Sequence, residues 1–134
     1  SVPEEQHILG ICLGMQLLAK QSEEGLLPGL GRIDAEFVRL DATKVPVPNM
    51  GWHEIQVDAD DPVFSRLDSD CRFYFTHSYR AHCSHERTVR ATVTYGQTFP
   101  AAYSDGNTYG VQFHPEKSHH YGMQLLKSWV EYTR

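Results

Sequence analysis

The stretch His7-Ile-Leu-Gly-Ile-Cys-Leu-Gly-Met-Gln-Leu-Leu-Ala-Lys20 changes its hydrophobic period in the middle. His7–Ile11 is a short apolar run, which reads as a buried strand entering a tight turn. Leu13, Leu17 and Leu18 then recur at helical spacing, with Met15 and Gln16 between, so Leu13–Lys20 is expected to be a helix. Between the two, Gly10-Ile-Cys-Leu-Gly14 has the form of a nucleophile elbow with Cys in place of Ser. Gly10 and Gly14 are expected there because the turn brings backbone segments close and side chains would clash. Cys12 would sit at the helix N-terminus, where the dipole favours thiolate. The backbone N–H of Leu13 would face a developing oxyanion. The alternative for Cys12 is a buried core cysteine, since free Cys is among the most buried residue types.

Outward from this stretch, Gly25 and Pro28-Gly29 close the helix and open a loop. Ile33–Leu40 alternates as a strand, Val45-Pro-Val-Pro-Asn49 is too proline-rich for a central strand, and Glu54–Asp58 alternates again. A helical turn is expected in Asp60–Leu67, with Pro62 at its start. Arg72–Ala81 and Thr88–Tyr95 read as strands. Ala101–Ser104 and Tyr109–Phe113 flank Asp105-Gly106-Asn107, a hairpin signal. Tyr121–Tyr132 reads as a closing helix with Met123, Leu126, Trp129 and Val130 on its apolar face. Strand, helix, many strands, helix is an α/β layer pattern with a strand-rich middle.

The 134 residues suit one domain, 40% hydrophobic and 22% charged, and are enough for a continuous core. A net charge of −5 with no basic run argues against nucleic-acid or anionic-membrane partners. No apolar stretch approaches the roughly 20 residues of a spanning helix, and the polar, acidic Ser1–Gln6 is not a signal peptide. Three widely spaced cysteines, Cys12, Cys71 and Cys83, argue against a disulfide framework and for a reducing, cytoplasmic setting.

A second segment bears on Cys12. Phe113-His-Pro-Glu116 follows an apolar strand. In extended chain, residues two apart share a face. His114 and Glu116 can then meet, with Pro115 holding the backbone extended, as the base and orienter of a triad. Taken alone, a His-x-Glu is a weak signal, and most instances are a surface His beside an unrelated Glu.

Together, Gly10-Ile-Cys-Leu-Gly-Met-Gln16 and, about a hundred residues later, Gly110-Val-Gln-Phe-His-Pro-Glu116 resemble the class I (triad-type) glutamine amidotransferases. Pro48-Asn-Met-Gly-Trp52, Phe73-Tyr-Phe-Thr-His-Ser-Tyr79 and His114-Pro-Glu-Lys-Ser118 are similar to the glutaminase subunit of imidazole glycerol phosphate synthase. The resemblance runs from Ile8 to Val130. It implies an α/β, flavodoxin-like amidotransferase sheet with flanking helices over residues 1–134, lacking the family's N-terminal strand-helix unit. It also implies a nucleophile at Cys12, a base at His114 and an orienter at Glu116. Leu13, Gln16, Ser78 and Tyr79 would bind glutamine. Met50, Gly51, Trp52 and Lys117 would face a cyclase (synthase) partner that takes up the ammonia, and no cofactor is needed.

Two departures qualify this. The absent N-terminal unit carries a second oxyanion donor, so weak turnover is expected from a partial domain. Either a homodimer covering the bare region or marginal stability is expected with it. Pro48-Asn-Met-Gly-Trp-His53 also differs from the Pro-His-Met-Gly-Trp-Asn form of the histidine pathway, and the tail His114–Gly122 resembles paralogues that serve surface-polysaccharide amidination. A bare interaction module and a γ-glutamyl peptidase are the remaining alternatives. The histidines of His82-Cys-Ser-His85 and His119-His120 are read as solvated loop residues and no metal is expected. Glu23-Glu24 and Asp58–Asp61 are read as solvated surface.

Overall fold

The computed structural model describes residues 6–25 and 27–134. The elements run β1 (Ile8–Ile11), α1 (Leu13–Leu18), β2 (Gln21–Ser22), β3 (Ala35–Arg39), β4 (Asn49–Glu54), β5 (Gln56–Val57), β6 (Arg72–His77), β7 (Tyr79–Cys83), β8 (Val89–Tyr95), β9 (Gln97–Asp105), β10 (Thr108–Val111) and α2 (His119–Thr133). Short 3₁₀ turns at Phe64–Arg66, Glu86–Thr88 and Pro115–Lys117 join them.

The main sheet has the order β1-β10-β9-β8-β5. β1 and β10 run parallel with Gly10 beside Gly110 and Ile11 beside Val111, and the remaining pairs are antiparallel. Smaller sheets, β2-β3-β7 and β4-β6, pack beside it. The architecture is α/β, a mixed sheet flanked by helices.

Two apolar clusters hold these layers together. The larger contains Phe73, Phe75, Val93, Phe99, Phe113 and Leu125, each at most 2% exposed. Phe73 and Phe113 stack with centroids 4.1 Å apart. Burying each such ring contributes about 1.5–3 kcal/mol. The smaller cluster, Met15, Leu18, Phe37, Ala81 and Tyr103 among others, lies under α1.

Several expectations are corrected. In α1, Met15 and Leu18 are buried while Leu13 and Leu17 are 58% and 56% exposed. The i, i+4 leucine pair therefore faces outward, and the helix ends at Leu18. Arg72–Ala81 is two strands in different sheets: β6 pairs with β4 and β7 with β3. The break is at Ser78, whose carbonyl accepts from Leu40 N at 2.9 Å. Asn49–Glu54 is a strand, not an extension of the proline loop. The buried face of α2 is Gly122, Leu125 and Ser128, while Met123 and Val130 are exposed. A Cβ at Gly122 would lie 1.8 Å from Pro115 O, and the Ser128 hydroxyl donates to Val63 O at 2.7 Å. Close approach and hydrogen bonding thus replace the larger side chains that the periodicity favours. Asp61 is not solvated surface: it is 1% exposed and accepts from Val63 N and Phe64 N at 3.0 and 2.8 Å.

Candidate active site

The turn after β1 places Cys12 at φ 53°, a conformation that non-glycine residues adopt only under constraint. Cys12 N donates to Val111 O at 2.8 Å, and Gln16 N donates to Cys12 O at 3.3 Å, so the residue is held from both the sheet and α1. Gly10 is required because a Cβ there would lie 2.6 Å from Gly14 O and 2.7 Å from Leu18 Cδ1. Gly14 is different: a Cβ would meet nothing within 4 Å. The expected clash therefore applies to the first glycine alone.

The sulfur is 3.8 Å from Thr76 O, to which the thiol donates, and 3.9 Å from Gln112 Nε2. Burial pushes the Cys12 thiol up, the Leu13 N–H beside it pulls down, and the Glu116 and Glu24 carboxylates push up again. The net is upward, against the thiolate expected from the helix terminus. α1 has six residues, and its pull is outweighed by burial and neighbouring negative charge. Cys71 and Cys83 are also free, both pushed up chiefly by burial, Cys71 to about 11.

His114 N donates to Tyr74 O at 2.9 Å. The carbonyls of Tyr74 and Thr76 point the same way from β6, about 7 Å apart by strand rise. One strand therefore presents adjacent acceptors to the Cys12 sulfur and to the His114 backbone. His114 Nδ1 donates to Glu116 Oε2 at 2.8 Å, which leaves Nε2 as the free basic nitrogen. Pro115–Lys117 is a 3₁₀ turn, not extended chain, so the pair meets through a turn and not by strand alternation. Burial pushes the Glu116 carboxyl up, but the hydrogen bonds from His114 and from backbone outweigh it and hold it low.

Ser118 fixes this turn. It is fully buried, its hydroxyl donates to His114 O at 2.6 Å, and it accepts from Tyr74 N at 3.0 Å. It enters the sequence reading only as the end of His114-Pro-Glu-Lys-Ser118, with no role given to it. A hydroxyl residue directly before a helix would be taken for a cap, but its side chain makes no cap bond here.

A cavity opens at Cys12, lined by Leu13, Gln16, Thr76, Ser78 and Tyr79, with Glu24 and Arg39 at its rim. Gln16 is 8% exposed and its Oε1 accepts from Ser22 Oγ at 3.1 Å. Arg39 Nη1 donates to Tyr79 Oη at 3.5 Å, and its guanidinium lies 5.7 Å from that ring's centroid. Glu23 accepts from Arg39 N at 2.6 Å. Glu23 and Glu24 are both exposed, as expected, and Glu24 also lines this cavity. A carboxylate and a guanidinium flanking a thiol can hold the two charges of an amino acid whose side chain reaches the sulfur.

Behind the cavity, His53 Nε2 donates to Asn49 Oδ1 at 2.8 Å, Asn49 Nδ2 to His77 Nε2 at 3.1 Å, and His77 Nδ1 to Tyr79 O at 2.8 Å. Met50 and Trp52, on the same strand as Asn49, are 64% and 42% exposed. Trp52 is not core but stacks on His119, centroids 5.4 Å apart and planes within 6°. Gly51 lies between them at φ 149°, and Lys117 is exposed nearby in sequence to His114. Among the described residues no group of three or more His, Cys, Asp or Glu could hold a metal ion, and no helix is long and apolar enough to cross a membrane.

Comparison with known proteins bears on these features. Two glutamine amidotransferase crystal structures share the fold. One, from Thermotoga maritima, has TM-score 0.59 and 25% identity over 92% of this chain and 45% of that one. Another has TM-score 0.66 and 20% identity over 93% and 59%. Among curated relatives, imidazole glycerol phosphate synthase subunit HisH 2 of Methanococcus maripaludis is 43% identical over 97% of this chain and 65% of that protein. Subunit HisH 2 of Pseudomonas aeruginosa is 44% identical over 92% and 62%. Subunit HisH of Mannheimia succiniciproducens is 46% identical over 94% and 64%. The chain thus spans just under two thirds of the length of these relatives. The family described as glutamine amidotransferase class-I matches residues 2–131, and with the fold and the turn at Cys12 this shows that the chain belongs to that family.

Proposed function

We propose that the chain hydrolyses glutamine to glutamate and ammonia through Cys12, His114 and Glu116. The ammonia passes to the cyclase subunit of imidazole glycerol phosphate synthase in histidine biosynthesis, in the cytoplasm. The observation that carries this is the Cys12 turn, bound to β10 at Val111 O and to β6 at Thr76 O, with the His114–Glu116 pair anchored to the same β6 strand at Tyr74 O.

Glutamine lies in the cavity with its ammonium toward Glu24, its carboxylate toward Arg39, and its side chain along Gln16, Ser78 and Tyr79. The raised thiol gives its proton to His114 Nε2 as sulfur attacks the amide carbon. The Leu13 N–H stabilises the oxyanion. Collapse expels ammonia, protonated in leaving by His114, and a glutamyl thioester remains. Water then gives a proton to Nε2 and its hydroxyl to the thioester carbon, so glutamate leaves and the thiol returns. Glu116 stabilises the imidazolium at each stage. Ammonia leaves on the side of Met50, Gly51, Trp52 and Lys117, the face assigned to the cyclase.

The relatives' names, the thiol turn and the exposed Trp52 support this reading over a peptidase that needs no partner. A second association, two copies pairing, is supported by the terminal place of β1 in the main sheet and by the exposed Leu13 and Leu17 of α1 and Leu27 and Leu30 of the following loop. The test of the function is glutamate release from glutamine with and without the cyclase subunit. Release that rises with cyclase and vanishes in Cys12→Ala supports it. Release unchanged in Cys12→Ala overturns it.

A further inference from the structure

We infer that Gln112 is a further catalytic residue, whose side-chain amide stabilises the Cys12 sulfur when it ionises. This rests on the reading of Cys12 as nucleophile. Gln112 follows β10 directly, and continuing the parallel register of Ile11 with Val111 sets it beside Cys12. Its backbone N donates to Ala101 O at 2.8 Å, which fixes its position. The side chain is 0% exposed and sends Nε2 to 3.9 Å from Cys12 Sγ.

The other end of the amide carries the argument. Oε1 of Gln112 is buried with no hydrogen-bond partner. An unpartnered buried carbonyl is unfavourable, and a leucine or methionine would fill the same space without it. Packing therefore does not account for an amide here, while its N–H end faces a sulfur that becomes anionic.

The groups around that sulfur define what the amide must do. Thr76 O accepts from the thiol and so favours the protonated form. Glu116, on the 3₁₀ turn, and Glu24, after β2, place negative charge near it, and Lys117 opposes them. The donors directed at the sulfur are the Leu13 N–H and Gln112 Nε2. When His114 takes the proton, the bond to Thr76 O is lost and both donors remain. A charged acceptor strengthens such bonds, so Gln112 contributes more after ionisation than before it.

The test is the pH dependence of Cys12 alkylation by iodoacetamide, in which thiolate displaces iodide and a C–S bond forms. It is read by peptide mass spectrometry on the whole chain, with Cys71 and Cys83 as internal references. Gln112→Leu should raise the Cys12 titration by about one unit, a roughly tenfold slower alkylation at pH 7. Gln112→Glu should slow it further, and the reference cysteines should not change. Gln112→Met repeats the test if the leucine variant does not fold. A Cys12 rate in Gln112→Leu or Gln112→Met equal to or faster than wild type overturns the inference. The assay uses no glutamine. If Cys12 were not the nucleophile of glutamine hydrolysis, the shift would persist while glutamate release survived Cys12→Ala, so the two failures are distinguishable.

Discussion

Asn49 Nδ2 donates to His77 Nε2 at 3.1 Å in the interior between β4 and β6. The direction of this bond settles a protonation state. His77 Nδ1 donates to Tyr79 O, so an accepting Nε2 means a neutral ring. Burial pushes His77 down to about 4, and the neighbouring His53 is pushed down by burial as well.

Stability is therefore expected to fall with acidification before the carboxylates titrate. His77 is depressed on folding, so the unfolded chain binds a proton near 6.5 that the folded chain refuses until about 4. That contribution is complete above 6.5 and is lost as pH falls towards 4, to the order of 3 kcal/mol. Urea unfolding at pH 7 and pH 5 measures it. His77→Gln, which can still donate to Tyr79 O and accept from Asn49, should flatten the dependence. An equal slope in the variant would place the effect elsewhere.

Ser118→Ala strips the partner from the half-buried Tyr74 N–H and leaves His114 O with the Lys117 N–H alone. The expected loss is about 1–3 kcal/mol, read by thermal or urea unfolding. Because the same hydroxyl holds the His114 turn on β6, glutamate release should fall in excess of any unfolded fraction at 25 °C.

The two glycines around Cys12 should respond oppositely. Gly10→Ala puts a Cβ 2.6 Å from Gly14 O, against backbone that α1 packing holds in place. A loss of at least the order seen for overpacked cores, about 1–3 kcal/mol, or failure to fold is expected. Gly14→Ala meets open space within α1 and should stabilise by about 0.5–1 kcal/mol. Parallel melting curves decide it.

Glu116→Gln should separate reactivity from catalysis. Loss of the carboxylate removes a charge that pushes the Cys12 thiol up, so alkylation should be no slower. Glutamate release should nonetheless drop about 10²–10⁴-fold, because His114 loses the partner that orients it and stabilises its cation. A parallel fall in both rates would show a structural effect.

The sequence carried the elements with clean periods and the chemistry set by local motifs. The strand, turn and helix around Cys12 were legible because the period changes within a few residues. The His114–Glu116 pair was legible because its members are two residues apart in the chain, although the turn between them was misread as extended. β4 was missed because Asn49-Met-Gly-Trp-His-Glu54 puts its large residues on the exposed side and a glycine in its centre. The face of α2 was rotated because Gly122 and Ser128 are buried for reasons of approach and bonding that hydrophobicity does not record. Ser118, the Asn49–His77 contact and Gln112 all depend on partners 28 to 100 positions away, and no spacing rule points to them.

The most direct measurement is covalent labelling with a diazo-ketone analogue of glutamine, which traps an attacking thiolate with loss of nitrogen. The site is then located by peptide mass spectrometry. One adduct on Cys12, suppressed by excess glutamine and by His114→Ala and absent in Cys12→Ser, is the predicted result. Labelling of Cys71 or Cys83 at an equal rate, or an adduct that persists in Cys12→Ser, would contradict the assignment of Cys12 as the nucleophile.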